Sequence, residues 1–184
     1  IGRRGDGMAR PLAEVRGVVK VFPGVVANAG VDLAIYPGEV LAVLGENGAG
    51  KTTLMSVLAG LYRPDAGTVL IDGSPVVLRS PGDALAQGIG MVHQHVRLVG
   101  AFTVTENLLL GWREAGVLLD ARAHAARVRR LAGDYGLAID PHARTDTLTL
   151  GERQQVEILR MLHRAVRVLI LDEPTAVLTP QEAA

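Results

Sequence analysis

The sequence predicts an α/β domain that carries an antiparallel β subdomain and an α-helical insert. A glycine-rich loop at 45–53 follows the apolar run 40–44 and precedes the helix-like stretch 54–60, which is the order strand, loop, helix. A second apolar run, 168–171, ends at two acidic residues. Between these halves, apolar residues recur at helical spacing, which predicts that helices are inserted between two sheet-forming regions.

The composition is that of an ordinary globular domain. With 184 residues, 48% of them hydrophobic, the chain can bury a core. Lysine plus arginine (19) equals aspartate plus glutamate (19), so no net charge attracts nucleic acid, and we expect no nucleic-acid partner. Cysteine is absent, which excludes disulfides and thiol nucleophiles. No apolar run approaches the roughly 18 residues that span a bilayer.

The residues before and after the glycine loop predict strands and turns. β-Branched residues in 15–22 and 31–36 predict two strands, joined by a link that contains Pro23-Gly24 and the turn-like stretch 28–30. The run 40–44 should be the strand that feeds the loop. Residues 68–71, followed by Asp72-Gly73, predict an antiparallel hairpin.

Three groups of capping residues predict helix starts. Ser80 precedes Pro81, Thr103 precedes Glu106 by three residues, and Thr179 precedes Pro180 and Glu182. The helix that begins after Ser80 should stop at Gly88 and be followed by a strand at 90–94. Because the group at Thr179 starts a helix close to Ala184, we expect the sequence to be a fragment of a longer chain.

Two longer helices are predicted in the insert. In 120–135 the core positions should be Val128, Leu131 and Tyr135, while the arginines form a solvated face. The stretch 151–165 shows the same periodicity, and 167–172 returns to a buried strand.

The glycine loop fits the pattern G-x-x-x-x-G-K-[ST]. Its glycines let backbone N–H groups surround a polyphosphate, the Lys51 ammonium neutralises the outer oxygens, and the Thr52 hydroxyl can bind Mg²⁺. A helix N-terminus adds partial positive charge. A plain turn would need neither the lysine nor the hydroxyl. The predicted phosphate contacts are Gly45, Glu46, Asn47, Gly48, Ala49, Gly50, Lys51, Thr52 and Thr53.

The acidic pair after 168–171 predicts the remainder of a hydrolytic site. A strand that ends in Asp172-Glu173 can deliver one carboxylate to Mg²⁺ and the other to the water that attacks a γ-phosphate. Asp172 is then the metal ligand and Glu173 the general base.

A third segment, Leu-Thr-Leu-Gly-Glu-Arg-Gln-Gln at 148–155, completes a recognisable order of motifs. With the phosphate loop, Gln94 and Asp172-Glu173, the chain from about Leu12 to Ala184 resembles the nucleotide-binding subunits of ATP-binding cassette (ABC) transporters. The resemblance implies a P-loop NTPase fold with an ABC ATPase core. It also implies that 12–184 is an incomplete nucleotide-binding domain without its switch-histidine region, and that about 95–160 is a helical subdomain. We expect 1–11 to be a disordered extension, because its first residues lack an apolar core and precede Met8.

The resemblance also assigns roles to single residues. It implies that Phe22 stacks on adenine, that Gln94 touches Mg²⁺ and senses a transmembrane partner, and that the segment Thr149, Leu150, Gly151 and Glu152 contacts ATP held by an opposing domain. Leu150 and Glu152 stand where the family usually has glycine and glutamine, and Thr179 stands where aspartate is usual. Outside the family context, Thr149 reads as a helix N-cap, Phe22 as a core aromatic and Gln94 as a surface amide.

Segments 91–95, 151–159 and 174–182 resemble the importers of simple sugars and nucleosides, in which two cassettes are commonly fused. We therefore expect an ATP-hydrolysing subunit that uses ATP and Mg²⁺ at the cytoplasmic face of the cell membrane. Its expected partners are a second nucleotide-binding domain, fused or homodimeric, transmembrane permease subunits and, indirectly, a solute-binding protein. The alternative is a cassette that binds nucleotide without hydrolysing it. A GTPase is disfavoured because the base-recognition pattern N/T-K-x-D is absent.

Overall fold

The computed structural model describes residues 10–93, 96–111 and 121–172. The chain divides into two compact units, one up to Gly90 and one from Met91. The expectations for Gln94, Glu173 and Thr179 concern residues outside the described ranges.

The first unit is built on a four-stranded antiparallel sheet in the order β2-β1-β3-β4. Its strands are β1 (Ala13–Phe22), β2 (Val25–Ile35), β3 (Ala66–Ile71) and β4 (Ser74–Val76). Ala13, Val15 and Val18 of β1 are buried. This sheet confirms the predicted antiparallel subdomain.

Two helices complete the first unit. Helix α1 (Lys51–Leu58) starts at the end of the glycine loop, buries Leu54, Val57 and Leu58, and contacts β2. Helix α2 (Pro81–Ala86) starts after Ser80, whose hydroxyl accepts a hydrogen bond from the Asp83 N–H at 3.2 Å. The start and stop predicted for α2 are confirmed.

The second unit is mainly helical. Its helices are α3 (Val104–Leu109), α4 (Ala121–Asp134) and α5 (Leu150–His163). The three helices share one apolar core, formed by Val104, Leu108, Val128, Ala132, Val156 and Leu159. The predicted α-helical insert is therefore confirmed as a packed helical bundle.

A short sheet accompanies these helices. Strand β5 (Ile89–Val92), whose last two residues belong to the second unit, pairs with β6 (Val168–Leu171). The Asp172 N–H donates to the Val92 carbonyl at 3.2 Å, so the residues that follow the two strands start side by side.

The predicted strand at 40–44 is wrong for this structure. Residues 39–46 have no regular secondary structure, Val40 is fully exposed and Leu44 is 90% exposed. A strand needs a neighbour for its N–H and C=O groups. Within the described residues no strand pairs with this run.

Two smaller predictions are also corrected. Residues 28–30 do not form a turn, because they continue β2, where Asn28 and Ala29 pair with Lys20 and Val19. Gly30, which has a positive φ of 74°, lies at a register shift between the two strands. Tyr135 is 57% exposed and lies past the end of α4, so the small residues Ala125 and Ala132 share the buried face with Val128 instead.

Candidate nucleotide-binding site

The glycine loop turns into α1 through two left-handed glycines. Gly48 has φ 84° and Gly50 has φ 82°, and the Ala49 N–H closes a turn onto the Glu46 carbonyl at 3.1 Å. The first N–H groups of an α-helix have no partner within the helix, and the helix dipole adds positive potential there. Residues 45–49 are exposed, so an anion can reach this end of α1.

Gly50 is fixed in place by β2. A Cβ atom at this position would lie 2.0 Å from the Ala27 carbonyl oxygen, so only glycine fits. The Asn28 side-chain amide donates to the Gly50 carbonyl at 3.2 Å, and Asn28 is only 5% exposed. Asn28 was not predicted to belong to the site. Its sequence signal, a polar residue in a strand-like stretch, was interpreted as a turn.

Lys51 spans the loop. Its ammonium donates to the carbonyl of Gly45 at 2.7 Å and to that of Glu46 at 2.8 Å. An ammonium has three N–H donors, so these two bonds hold the cation at the loop without using its full capacity. The Thr52 side chain is exposed in the first turn of α1.

Phe22 ends β1 and is only half-buried, so it is not among the core residues of the first unit. Its ring packs edge-to-face with Tyr62, with the ring centroids 5.3 Å apart. The Lys20 ammonium lies 5.5 Å from the Phe22 ring centroid. The first unit thus holds the predicted base contact and all the phosphate contacts predicted in the glycine loop.

The second unit holds Asp172, directly after β6. His93 follows β5, and Asp172 is among the charged groups that act on it. Burial lowers the pKa of His93, as does the Arg97 cation, while Glu157 and Asp172 oppose the shift.

The segment at 149–152 forms a complete capping box at the start of α5. Thr149 accepts from the Glu152 N–H at 3.3 Å, while the Glu152 carboxylate accepts from both the Thr149 N–H and its hydroxyl at 2.8 Å. The hydrogen bonds from Thr149 lower the pKa of Glu152. Leu150 is 53% exposed. Thr149 is thus the N-cap of α5. Glu152 places a carboxylate where a phosphate contact was predicted.

A buried carboxylate on α5 was missed by the sequence analysis. Glu157, 2% exposed, accepts from the Arg97 N–H at 2.9 Å and pairs with the Arg160 guanidinium at 2.9 Å. Arg160 also donates to the Arg97 carbonyl at 3.4 Å. The stretch at Arg97 is therefore tied to the helix that carries 149–152. The i, i+3 spacing of Glu157 and Arg160 was the available signal.

His163, near the end of α5, is also buried, at 5% exposure. Burial lowers the pKa of His163 to about 4, helped by the nearby cations of Arg127 and Arg164 and by His124. The folded chain therefore keeps this imidazole neutral in the range where an unfolded histidine is protonated.

This residue predicts a pH dependence of stability. Because the unfolded chain takes up the proton first, the free energy of unfolding should fall by about 1 to 2 kcal/mol between about pH 7 and pH 5 on account of His163. Urea unfolding at the two pH values measures this. His163→Leu should reduce the fall, whereas the same change at the exposed His142 should not. An undiminished fall in His163→Leu would show that other groups cause it.

A family comparison agrees with these motifs. The model of the ABC transporter family matches residues 29–176, and this chain belongs to that family. None of the helices in the described ranges has the length and apolar character needed to cross a membrane.

Curated relatives are similar over nearly the whole chain. The ribose import ATP-binding protein RbsA 1 of Rubrobacter xylanophilus is 49% identical over 94% of this chain. The guanosine import ATP-binding protein NupO of Bacillus subtilis is 46% identical over 93%. This chain spans only 35% and 34% of those two proteins, about one third of their length.

Solved structures confirm the fold. cbiO1 from Clostridium perfringens, part of the ABC transporter complex cbiONQ, matches with a TM-score of 0.77 and 29% identity, over 94% of this chain and 69% of that one. A nucleotide-free ATP-binding cassette from an ABC transporter matches with a TM-score of 0.78 and 24% identity, over 94% and 73%. The ABC ATPase fold with mixed α/β content is therefore established.

Proposed function

We propose that this chain is the ATP-binding and ATP-hydrolysing cassette of an importer for a simple sugar or a nucleoside. The observation that carries the proposal is the glycine loop at the start of α1, where Gly50 is locked against β2 and Lys51 is held at the loop. This arrangement suits a triphosphate because the N–H groups and the ammonium all offer positive charge to the same oxygens.

Each predicted residue would have its own role toward ATP. The backbone N–H groups of 45–53 and Lys51 bind the β- and γ-phosphates, and Phe22 stacks on adenine. Glu173 removes a proton from the attacking water, and Gln94 contacts Mg²⁺ and senses the transmembrane partner. Thr149, Leu150, Gly151 and Glu152 face the γ-phosphate of ATP on a second cassette.

The oxygen donors predicted for Mg²⁺ match the preference of that ion. Thr52 offers an exposed hydroxyl at the start of α1, Asp172 offers a carboxylate after β6, and Gln94 offers an amide oxygen. When bound, Mg²⁺ would neutralise charge on the phosphate oxygens.

The partners are also part of the proposal. The names of the relatives describe import proteins for ribose and guanosine, and those relatives are about three times as long as this chain. They leave room for a second domain of this size. We infer a second nucleotide-binding domain, fused or from a second copy, and permease subunits that hold the cassette at the cytoplasmic face of the membrane. A solute-binding protein would act indirectly.

Lys51→Ala should weaken ATP binding about 10- to 100-fold, because a charge-assisted contact with phosphate contributes on the order of 1.5 to 3 kcal/mol. Isothermal titration of the full chain with ATP measures the change. Arg129→Ala is the matched control, since that arginine lies on the exposed face of α4. Equal affinities for the parent and Lys51→Ala would remove the phosphate role of the loop.

ATP turnover separates the proposal from its alternative. The full chain with its permease should hydrolyse ATP. ATP binding without any turnover would instead favour a hydrolytically silent cassette, and would direct attention to Leu150 and to the capping carboxylate of Glu152.

A further inference from the structure

The turn that follows α1, residues 59–65, contacts the end of β1, where Phe22 lies. Tyr62 in this turn is 43% exposed, and its ring meets that of Phe22 with an interplanar angle of 75°. Edge-to-face pairs of this kind favour one relative orientation of the two rings. The pair therefore restricts the orientation of the Phe22 ring.

Asp65 in the same turn fixes the backbone that carries Phe22. Its N–H donates to the Val19 carbonyl at 2.8 Å, and its carboxylate accepts from the Val21 N–H at 2.7 Å and from the Lys20 ammonium at 3.1 Å. These bonds hold the three residues just before Phe22. The hydrogen bond from Val21, with that from Lys20, lowers the pKa of Asp65, so the carboxylate remains an acceptor at neutral pH.

The turn is itself anchored to α1. The N–H groups of Leu61 and Tyr62 both donate to the Ser56 carbonyl, at 2.8 and 3.2 Å. Helix α1 thus starts at the glycine loop and ends at the turn that supports Phe22. An eight-residue helix is about 12 Å long and rigid, so it sets the spacing between the two supports.

From these contacts we propose that Tyr62 and Asp65 are positioning residues for base recognition, which act by holding the Phe22 ring ready to stack on adenine. The inference rests on the proposed function, because it assumes that Phe22 contacts the base. It assigns to the turn an effect on the base half of the ligand and none on the phosphate half.

The test compares two ligands on the full chain, ATP and inorganic tripolyphosphate, by isothermal titration. Tyr62→Ala should raise the Kd for ATP about 3- to 10-fold, the range expected for loss of an aromatic pair. The Kd for tripolyphosphate should not change. Tyr62→Phe keeps the ring and should behave like the parent, and Tyr62→Leu replaces Tyr62→Ala if the alanine variant fails to fold.

A double variant separates positioning from a general structural effect. In the background Phe22→Ala, the change Tyr62→Ala should have no further effect on ATP binding. The inference would be overturned if Tyr62→Ala weakened the binding of ATP and of tripolyphosphate equally. It would also be overturned if Tyr62→Ala weakened ATP binding just as much in the Phe22→Ala background. Normal ATP binding by Tyr62→Ala when Phe22→Ala binds weakly would overturn it as well.

Failure of the proposed function looks different. In that case Lys51→Ala would bind both ligands as well as the parent does, and Phe22→Ala would bind ATP normally. Asp65→Asn is a second probe of the turn, because it keeps an acceptor for the Val21 N–H while removing the charge opposite Lys20. It should change ATP binding less than Asp65→Ala does, and the reverse order would contradict the role given to the Val21 bond.

Discussion

Replacing Glu173 with glutamine is expected to lower ATP turnover by the full chain at least about 100-fold, while ATP still binds. A positioned general base contributes on the order of 10² to 10⁴ to the rate, and an amide cannot accept the proton from water at neutral pH. Single-turnover phosphate release and an ATP titration, run on the same preparation, measure the two effects separately.

Glu39→Gln is a suitable control for Glu173→Gln. Glu39 is an exposed carboxylate that accepts the Tyr36 N–H at 2.9 Å, and a glutamine can accept the same bond. This variant should turn over ATP at the parent rate. Turnover by Glu173→Gln within about threefold of the parent would remove the general-base role.

Gly50→Ala is expected to lower the affinity for ATP and for tripolyphosphate alike, by at least about 10-fold. The left-handed backbone costs a non-glycine residue about 1 to 2 kcal/mol. The new Cβ would also lie 2.0 Å from the Ala27 carbonyl, a backbone atom of β2 that cannot turn aside as a side chain could. The start of α1 must therefore shift away from β2, and the hydrogen bond from Asn28 lengthens or breaks.

Gly133→Ala provides the matched control in the same chain. Gly133 lies near the end of α4, and a Cβ there would meet nothing within 4 Å. Alanine is the better helix former, so this variant should be as stable as the parent or slightly more stable. Urea unfolding should show a loss of about 3 kcal/mol for Gly50→Ala only. If Gly50→Ala bound ATP within twofold of the parent, the contact with Ala27 would not define the loop.

Helix starts could be predicted because a helix N-cap is local. Ser80, Thr103 and Thr149 each bond to a residue three positions further on, so sequence spacing alone specifies the contact. The hairpin at Asp72-Gly73 is equally local, with positive φ at both residues.

Non-local contacts could not be predicted in this way. The apolar run 40–44 has the composition of a strand, but a strand also depends on a partner that the local pattern does not specify. Asn28 reaches Gly50 across 22 positions, and Asp65 reaches Val21 across 44. Both residue types are also common in turns, and the tertiary contact that distinguishes the roles has no short-range signature.

The site motifs were predictable for a different reason. The loop at 45–53 has to combine glycines, a lysine and a hydroxyl in one short stretch, so its chemistry is visible in the sequence. What the sequence did not reveal is how the loop is supported, because Asn28 comes from β2 and is recognised only once the fold brings it to Gly50.

The two arms of the glycine loop are supported very differently. On the side of α1, the loop is bonded into β2 through Asn28 and continues into a helix with a buried face. On the other side, residues 40–45 have no ladder partner within the described ranges, and the hydrogen bonds of Lys51 to Gly45 and Glu46 tie that arm back. The loop is therefore bonded to β2 at Gly50, whereas its outer end is held by the Lys51 ammonium and by the bond from the Ala49 N–H to the Glu46 carbonyl. A ligand oxygen that competes for this ammonium also weakens the bonds of Lys51 to Gly45 and Glu46, so ligand binding and loosening of the outer arm are coupled.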